Sequence, residues 1–151
     1  MNYFQRGFGG MQLLIVGAVI GVAAMVAMPK YNAFVDKAKL TEAFNFAGES
    51  KKKLSEYYMV SNRLPRTSAE AQGMATEGLS PPKFVDNMVI YPNHMEHDVV
   101  VKVYLRPNVI DNETGEEQFI YVAGDQSGKQ LLWSCGSSGI DAALLPEGCN
   151  G

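Results

Sequence analysis

Residues 1–30 of this 151-residue chain read MNYFQRGFGGMQLLIVGAVIGVAAMVAMPK, and this stretch decides the architecture of the protein. No charged side chain occurs from Gly7 to Pro29. At about 1.5 Å of rise per residue, a helix of that length matches a bilayer hydrocarbon core of roughly 30 Å. The segment therefore predicts a helix that crosses a membrane once.

A secretory signal peptide is the competing interpretation of this segment, because it too places a small positive region before an apolar run. The apolar core of a signal peptide normally spans only about 7 to 15 residues and ends at a small-x-small cleavage site. The run here is longer, and it ends at Met28-Pro29-Lys30-Tyr31. We therefore expect the segment to be retained.

The helical pattern continues beyond the apolar run. Apolar residues recur at steps of three and four, as in an amphipathic helix; they are Tyr31, Phe34, Val35, Ala38, Phe44, Ala47, Leu54, Tyr57 and Tyr58. This pattern predicts one long helix over residues 9–60, kinked or loosened near Pro29, which lacks the N–H for one backbone hydrogen bond. Pro65 follows closely and favours an end to the helix, because the residue before a proline avoids helical geometry.

Four runs rich in Val, Ile, Tyr and Phe follow, at residues 87–91, 98–106, 118–123 and 129–135. Polar segments that predict turns, at residues 92–97, 107–117 and 124–128, separate these runs, and this alternation is typical of β-strands. Short connections favour antiparallel pairing, because a parallel pair needs a crossover of about a dozen residues or more. We predict an α+β fold in which the long helix packs on a four-stranded antiparallel meander. A short helical turn is expected at residues 68–74.

The N-terminal segment resembles that of type IV prepilins. The resemblance is carried by a short leader that ends in Arg6-Gly7, by Phe8 directly after it, and by the sequence LLIVGAVIG at residues 13–21. At the other end, the segment from Leu131 to Cys149, which contains Trp133-Ser134-Cys135 and closes with LPEGC, resembles the disulfide-closed C-terminal loop of type IVa pilins. The resemblance thus covers both ends of the chain and implies the pilin fold with a C-terminal disulfide loop.

The resemblance implies that a prepilin peptidase cuts between Gly7 and Phe8 and methylates the new terminus at Phe8. Residues 1–7 would then be the leader peptide and residues 8–29 the transmembrane and polymerisation half of the helix. Residues 30–151 would form the globular head.

The same resemblance implies a structural subunit of a type IV pilus. Before assembly it would lie among the lipids of the inner membrane of a Gram-negative-type bacterium as a single-pass protein. Inner-membrane machinery would then assemble it through its N-terminal helix into an extracellular fibre, alone as a homo-oligomer or mixed with other pilins. Adhesion, motility or DNA uptake would belong to that fibre.

One position departs from the pilin pattern. The family places a glutamate five residues after the cut, where this chain has Gln12. In the family that carboxylate pairs with the terminal amine of a neighbouring subunit, whereas glutamine carries no charge and can only accept a hydrogen bond from that amine through its amide oxygen. A carboxylate in the apolar region costs about 2.5–3.5 kcal/mol on insertion scales, so Gln12 inserts more easily. We assign Gln12 and Pro29 to assembly and expect weaker self-assembly than a glutamate would give.

Cys135 and Cys149 are the two cysteines of the chain. In a small exported domain an even cysteine count indicates a disulfide, as the resemblance also implies. Closing a loop of about 15 residues contributes roughly 3 kcal/mol in the chain-entropy model. A metal bound by both thiolates is the alternative, although ligand-type partners are lacking nearby.

Four other sequence features could suggest a metal site or a binding site, but ordinary surface or core positions are the favoured interpretation of each. His94 and His97 form an HxxH pattern inside a predicted turn at residues 92–97, with a metal site as the alternative. The acidic segment 111–117 lacks the ligand spacing of a calcium loop and predicts an exposed hairpin turn. Residues 51–53 are three consecutive lysines. Consecutive residues of a helix point about 100° apart, so we expect these lysines to form no single basic patch. Trp133 is expected to pack in the core against the disulfide.

We predict no enzymatic activity, cofactor or metal, because the sequence lacks a nucleophile-histidine-carboxylate arrangement and a phosphate-binding glycine loop. Loss of Arg6 with the leader changes 13 basic and 16 acidic residues to 12 and 16, and this acidic balance argues against nucleic acid as the main partner. Interaction specificity is expected in residues 63–84 and in the disulfide loop. Within that loop, Leu144 and Leu145 are expected to tuck against the sheet.

Three alternatives to a fibre-building subunit remain open at this point. The first is a minor pilin specialised for DNA or surface binding, which Gln12 keeps open. The second is a pseudopilin of a secretion system. The third is a periplasmic domain on a single anchor that never polymerises.

Overall fold

A computed structural model describes residues 9–110 and 115–149, with the backbone alone described at residues 10–13 and 22–30. The chain divides into two compact units, Met1–Val35 and Asp36–Gly151. The predicted processing boundaries after residues 7 and 29 stay predictions.

The first element, α1, is a single α-helix of 52 residues, Gly10–Ser61. The predicted long helix over residues 9–60 is therefore confirmed to within one residue at each end. The helix is continuous through Pro29, and a bend there stays a prediction. Among the described residues, no helix combines the length and the apolar character needed to cross a bilayer.

The second unit adds a short helix and four strands. They are α2 (Ser68–Thr76), β1 (Val85–His94), β2 (His97–Leu105), β3 (Phe119–Ser127) and β4 (Gln130–Ser138), followed by the 3-10 turn Ala142–Leu144. The strands form one antiparallel sheet in the order β1-β2-β3-β4. The predicted α+β fold, the meander and the short helix after α1 are all confirmed.

Two hairpins are tighter than the sequence predicted. The β1–β2 turn is only Met95-Glu96, rather than residues 92–97, and the β3–β4 turn is only Gly128-Lys129. Pro92 is tolerated within β1 because β1 is an edge strand, where a missing N–H need not break the ladder. Met95 and Gly128 have positive φ angles, which a two-residue hairpin turn requires.

One face of the sheet, here called the inner face, shares a core with the second-unit part of α1. From α1 the core takes Leu40, Ala43, Ala47, Leu54 and Tyr58, at helical spacing. From the strands it takes alternate residues, which are Met88, Ile90, Val99, Val101, Val103, Ile120, Val122 and Leu131. Burial of each large aliphatic side chain contributes about 1.5–3 kcal/mol, so this layer carries most of the fold's stability.

Candidate functional site

The residues predicted for processing and assembly are not tested by the structure. Gly7 and Phe8 lie outside the described residues. Gln12 and Pro29 are placed on the backbone of α1, but their side chains lie outside the described residues. All four roles stay predictions.

The C-terminal loop is closed by the predicted disulfide. Cys135 on β4 is bonded to Cys149, and their Cα atoms are 4.7 Å apart. The alternative of a metal held by two thiolates is therefore wrong. Leu145 is buried in the core and Leu144 packs against that core, which confirms that both tuck against the sheet. The loop is thus anchored to the inner face at both ends.

The start of this loop is tied to the segment before β3. Gln118 is 6% exposed, and its Nε2 donates to the backbone oxygen of Gly139 over 3.2 Å. Gly139 has a φ of +69°, and a Cβ there would lie 3.0 Å from the backbone oxygen of Glu117. A glycine is needed at this position both for its backbone conformation and for the close approach.

The connecting region, residues 62–84, is held by a hydrogen-bonded helix start. Thr67 caps α2 by accepting the Glu70 N–H over 3.2 Å. The Glu70 carboxylate accepts the Arg66 N–H over 2.9 Å and the Tyr57 hydroxyl over 3.2 Å. The hydrogen bond from the Arg66 backbone holds the pKa of Glu70 below its usual value, and Tyr57 and Arg63 act in the same direction.

Gln72 joins α2 to the open edge of the sheet. Its Oε1 accepts the Ile90 N–H over 3.1 Å, and its Nε2 donates to the Met88 oxygen. The side chain thus satisfies one donor and one acceptor of β1, which an edge strand otherwise exposes. Ser50 of α1 is fully buried and donates to the Ala75 oxygen over 3.2 Å, so α2 is fixed on two sides.

The HxxH pair does not lie in a turn as predicted. His94 and His97 are opposite each other at the ends of β1 and β2. His97 Nδ1 lies 3.0 Å from an oxygen of Asp125, and Asp98 accepts the Gln126 N–H over 2.7 Å. These contacts join the two hairpins at this end of the sheet. Within residues 9–110 and 115–149, no group of three or more potential ligands is arranged to hold a metal ion.

The three lysines of α1 point to different surroundings, which confirms that they form no single patch. Lys51 Nζ lies 5.7 Å from the ring centroid of Trp133, Lys53 donates to the Glu77 oxygen, and Lys52 is exposed. Trp133 is half-buried and its Nε1 donates to Ser55 Oγ over 3.0 Å. Trp133 therefore packs between β4 and α1, and both it and Cys135 contact the core.

The opposite face of the sheet, here called the outer face, was missed at the sequence level. It presents Tyr91, Lys102, Tyr104, Phe119 and Tyr121, all half-buried. Lys102 Nζ lies 4.8 Å from the ring centroid of Phe119 and 5.6 Å from that of Tyr91. The available signal was that Lys102 and Tyr104 in β2, and Phe119 and Tyr121 in β3, are two residues apart, because such residues share one face of a sheet. That signal emerges only once the strand register is known.

Tyr104 lies where the outer face meets the β2–β3 connection. Burial raises the pKa of Tyr104 to about 12, and a hydrogen bond with Tyr91 and the charge of Glu117 act in the same direction. A cavity of about 480 Å³ opens beside it, lined in part by Arg106, Ile110 and Glu117. Of the predicted acidic hairpin turn, residues 111–114 lie outside the described residues, whereas residues 115–117 are exposed.

Comparison with known proteins identifies the fold. The model of the pilin family, a bacterial filament protein, matches residues 37–150. The fimbrial protein EcpC of Eikenella corrodens is 32% identical over 149 residues, which cover 99% of this chain and 93% of the relative. The chain belongs to the pilin family.

Two further relatives place this pilin among the type IV pilins. The type IV major pilin protein PilE1 of Neisseria gonorrhoeae is 28% identical over 136 residues, covering 90% of this chain and 78% of the relative. A fimbrial protein of Neisseria meningitidis serogroup B is 29% identical over the same number of residues, 136, covering 90% and 75%. The pilin is a structural subunit of a type IV pilus. The predicted family and pilus role are therefore confirmed.

Proposed function

We propose that this pilin is stored in the inner membrane and polymerises through its N-terminal helix into an extracellular fibre. The prepilin peptidase cuts it between Gly7 and Phe8, and inner-membrane machinery assembles the mature chain. The fibre consists of pilin subunits, and adhesion or motility is a property of the fibre. The chain itself acts structurally and catalyses no reaction.

The observation that carries this proposal is the extent of the match to the Eikenella fimbrial protein. The alignment covers 149 of the 151 residues, so it takes in nearly all of the N-terminal segment as well as the head. A likeness confined to the head would leave the leader and the apolar segment without support. The relatives that carry the words "major pilin" in their names support an abundant fibre subunit rather than a rare one.

The exposed side chains of α1 in the first unit also support polymerisation. Leu14, Ile15, Val19, Ile20 and Phe34 are between 59% and 76% exposed in the isolated chain. Exposed apolar surface of this extent is characteristic of a segment that is covered by lipid or by another protein. Storage in a membrane followed by packing among sister helices covers it in both states.

Mass spectrometry of fibres sheared from cells tests the proposal. We expect an abundant N-terminal peptide that begins with methylated Phe8. A peptide that still contains Gly7, or a protein that is absent from the sheared fraction and remains wholly in the membrane fraction, would contradict the proposal.

Gln12 gives a second test that addresses assembly alone. Gln12→Glu restores a carboxylate that can pair with a neighbour's terminal ammonium, so we expect more fibres per cell by electron microscopy. Gln12→Ala, which can accept no side-chain hydrogen bond, serves as the matched control and should lower the count. Processing at Gly7 should be equal in all three chains. Equal fibre counts for glutamine and glutamate would refute the role assigned to Gln12.

A further inference from the structure

The outer face of the sheet carries a concentration of aromatic rings around one cation. Lys102 and Tyr121 are direct cross-strand partners, and Tyr104 and Phe119 are partners in the neighbouring row. The Tyr104 and Phe119 ring centroids are 5.4 Å apart. Tyr121 extends over Gly136 of β4, where a Cβ would lie 2.5 Å from the tyrosine hydroxyl oxygen. Glycine at this position therefore allows the tyrosine ring to lie flat along the sheet.

The ammonium of Lys102 has no carboxylate within ion-pair distance among the described residues. Its recorded contacts are with the ring faces of Phe119 and Tyr91, which attract a cation but accept no conventional hydrogen bond. Two lysines of α1 are placed differently. Lys53 donates to the Glu77 oxygen, and Lys51 lies over Trp133 at the edge of the core. Lys102 instead holds its charge over the rings of a half-buried face, where an anionic group can approach it from solvent.

The surrounding groups limit the kind of anion that fits. Ring faces provide apolar, flat surface, and the tyrosine hydroxyls together with Ser134 and Ser138 on the same face supply donors and acceptors at its border. A pyranose sugar has the matching character, with an apolar C–H face and hydroxyl groups around its edge. A carboxylate on that ring would complement the single charge of Lys102.

The number of charges argues against a polyanion. Among the described residues, Lys102 is the cation that lies over the aromatic rings of the outer face, and Glu117 lies close enough to act on the charge state of Tyr104. Binding to single-stranded nucleic acid normally uses a series of basic residues that follow the backbone as well as stacking rings. A single lysine over these rings, with the negative charge of Glu117 near Tyr104, suits a ligand with one negative charge.

We propose that the outer face around Lys102 binds a pyranose sugar that carries a single carboxylate, as in sialic acids and hexuronic acids. The carboxylate accepts hydrogen bonds from Lys102 Nζ, and the ring stacks on the aromatic side chains beside it. Through this site the fibre would bind acidic sugars on a host cell or in a surrounding matrix. That part of the proposal rests on the proposed fibre function.

Binding of fluorescent oligosaccharides to purified fibres tests the site. The probes are sialyllactose, with lactose as its uncharged counterpart, and cellobiouronic acid, with cellobiose as its counterpart. We expect saturable binding of at least one acidic probe, about tenfold or more tighter than its neutral counterpart, because one charge-assisted hydrogen bond is lost in the neutral sugar. Whichever acidic probe binds distinguishes sialic acid from hexuronic acid.

Three variants of this face and one control variant in α1 assign the binding to it. Lys102→Met keeps the length of the side chain and should weaken acidic-sugar binding about tenfold or more, whereas Lys102→Arg should retain it within about threefold. Tyr121→Leu should weaken acidic and neutral probes alike. Lys52→Met removes an exposed lysine of α1, away from the sheet's outer face, and should leave binding unchanged.

Several outcomes would overturn the proposal. They are the absence of binding of both acidic probes to wild-type fibres, wild-type binding by Lys102→Met fibres, and tighter binding of a single-stranded oligonucleotide than of either sugar. If no fibres form, the same measurements on the full chain in detergent still test the sugar site. A failure of assembly and a failure of the site are therefore distinguishable.

Discussion

The two faces of the sheet are built from the same strands but from different residues. The inner face is almost wholly aliphatic and buried, with Val99, Val101 and Ile120 at 0% exposure. The outer face carries half-buried aromatic side chains and Lys102 on the alternate positions. In an antiparallel sheet one face packs on the core while the other meets solvent, so the two can change separately. Packing under α1 therefore fixes the fold, and on the outer face Val100 and Ala123 are buried as well.

The sharpest way to test this division is to truncate neighbours on opposite faces of β3. Ile120→Ala should lower the free energy of unfolding by about 2–5 kcal/mol, because it leaves a cavity in a fully buried layer. Phe119→Ala removes a larger side chain from the half-buried outer face and should cost less. Urea unfolding of the full chain in detergent, followed by Trp133 fluorescence, measures both. A larger loss for Phe119→Ala would mean that the outer face also carries the fold.

The disulfide tests whether the C-terminal loop belongs to the inner face. Replacing both Cys135 and Cys149 by serine should lower the free energy of unfolding by about 3 kcal/mol, as expected for a loop of about 15 residues. Reduction of the wild-type chain should give a similar loss in the same urea experiment. An unchanged midpoint after reduction would show that the buried Leu145 alone holds the loop.

Two glycines compare the faces through aromatic contacts. At Gly124 on the inner face a Cβ would meet the Trp133 ring at 3.0–3.1 Å, and at Gly136 on the outer face it would meet Tyr121 at 2.5 Å. Trp133 is held by α1 through Ser55, whereas Tyr121 can swing toward solvent. We therefore expect Gly124→Ala to cost about 1–3 kcal/mol and Gly136→Ala to cost less, although its initial clash is closer.

Fluorescence separates the two glycine variants independently of stability. Trp133 is the single tryptophan of the chain, so its emission reports the inner-face contact alone. Gly124→Ala should shift the emission maximum, and Gly136→Ala should leave it in place. A shift in the second variant would show that the two faces are mechanically coupled through β4.

The sequence predicted the inner face well because aliphatic alternation and helical spacing repeat over many residues. The helix bounds and the strand order followed from these patterns, and the motifs at both ends of the chain pointed to the pilin family. The hairpin ends were wrong because Pro92 and Gly124 are usually turn residues, whereas here an edge position tolerates the proline and Trp133 covers the glycine.

The outer face could not be predicted because its members are distant in the chain. Tyr91, Lys102 and Phe119 come from three strands, and only the register brings their side chains together. A shift of one residue in any pairing would send one of them to the core. The Gln72 contacts with β1 were missed for the same reason, since nothing in α2 indicates which backbone groups lie beside it.

The smallest expected effect is the alkaline titration of Tyr104. Its folded pKa of about 12 lies above the ordinary tyrosine pKa of 10.0, mainly because burial disfavours the phenolate. The folded state therefore holds this proton more tightly than the unfolded state, so stability is unaffected below about pH 10 and falls between about pH 10 and pH 12. Tyr104→Phe should remove this part of the decline while leaving stability at neutral pH nearly unchanged. Phenolate absorbance of the folded chain should lose a late-titrating component in the variant. If Tyr104→Phe loses no late-titrating component, the Tyr104 hydroxyl is accessible to water, and the contrast between the outer face and the buried inner face becomes still sharper.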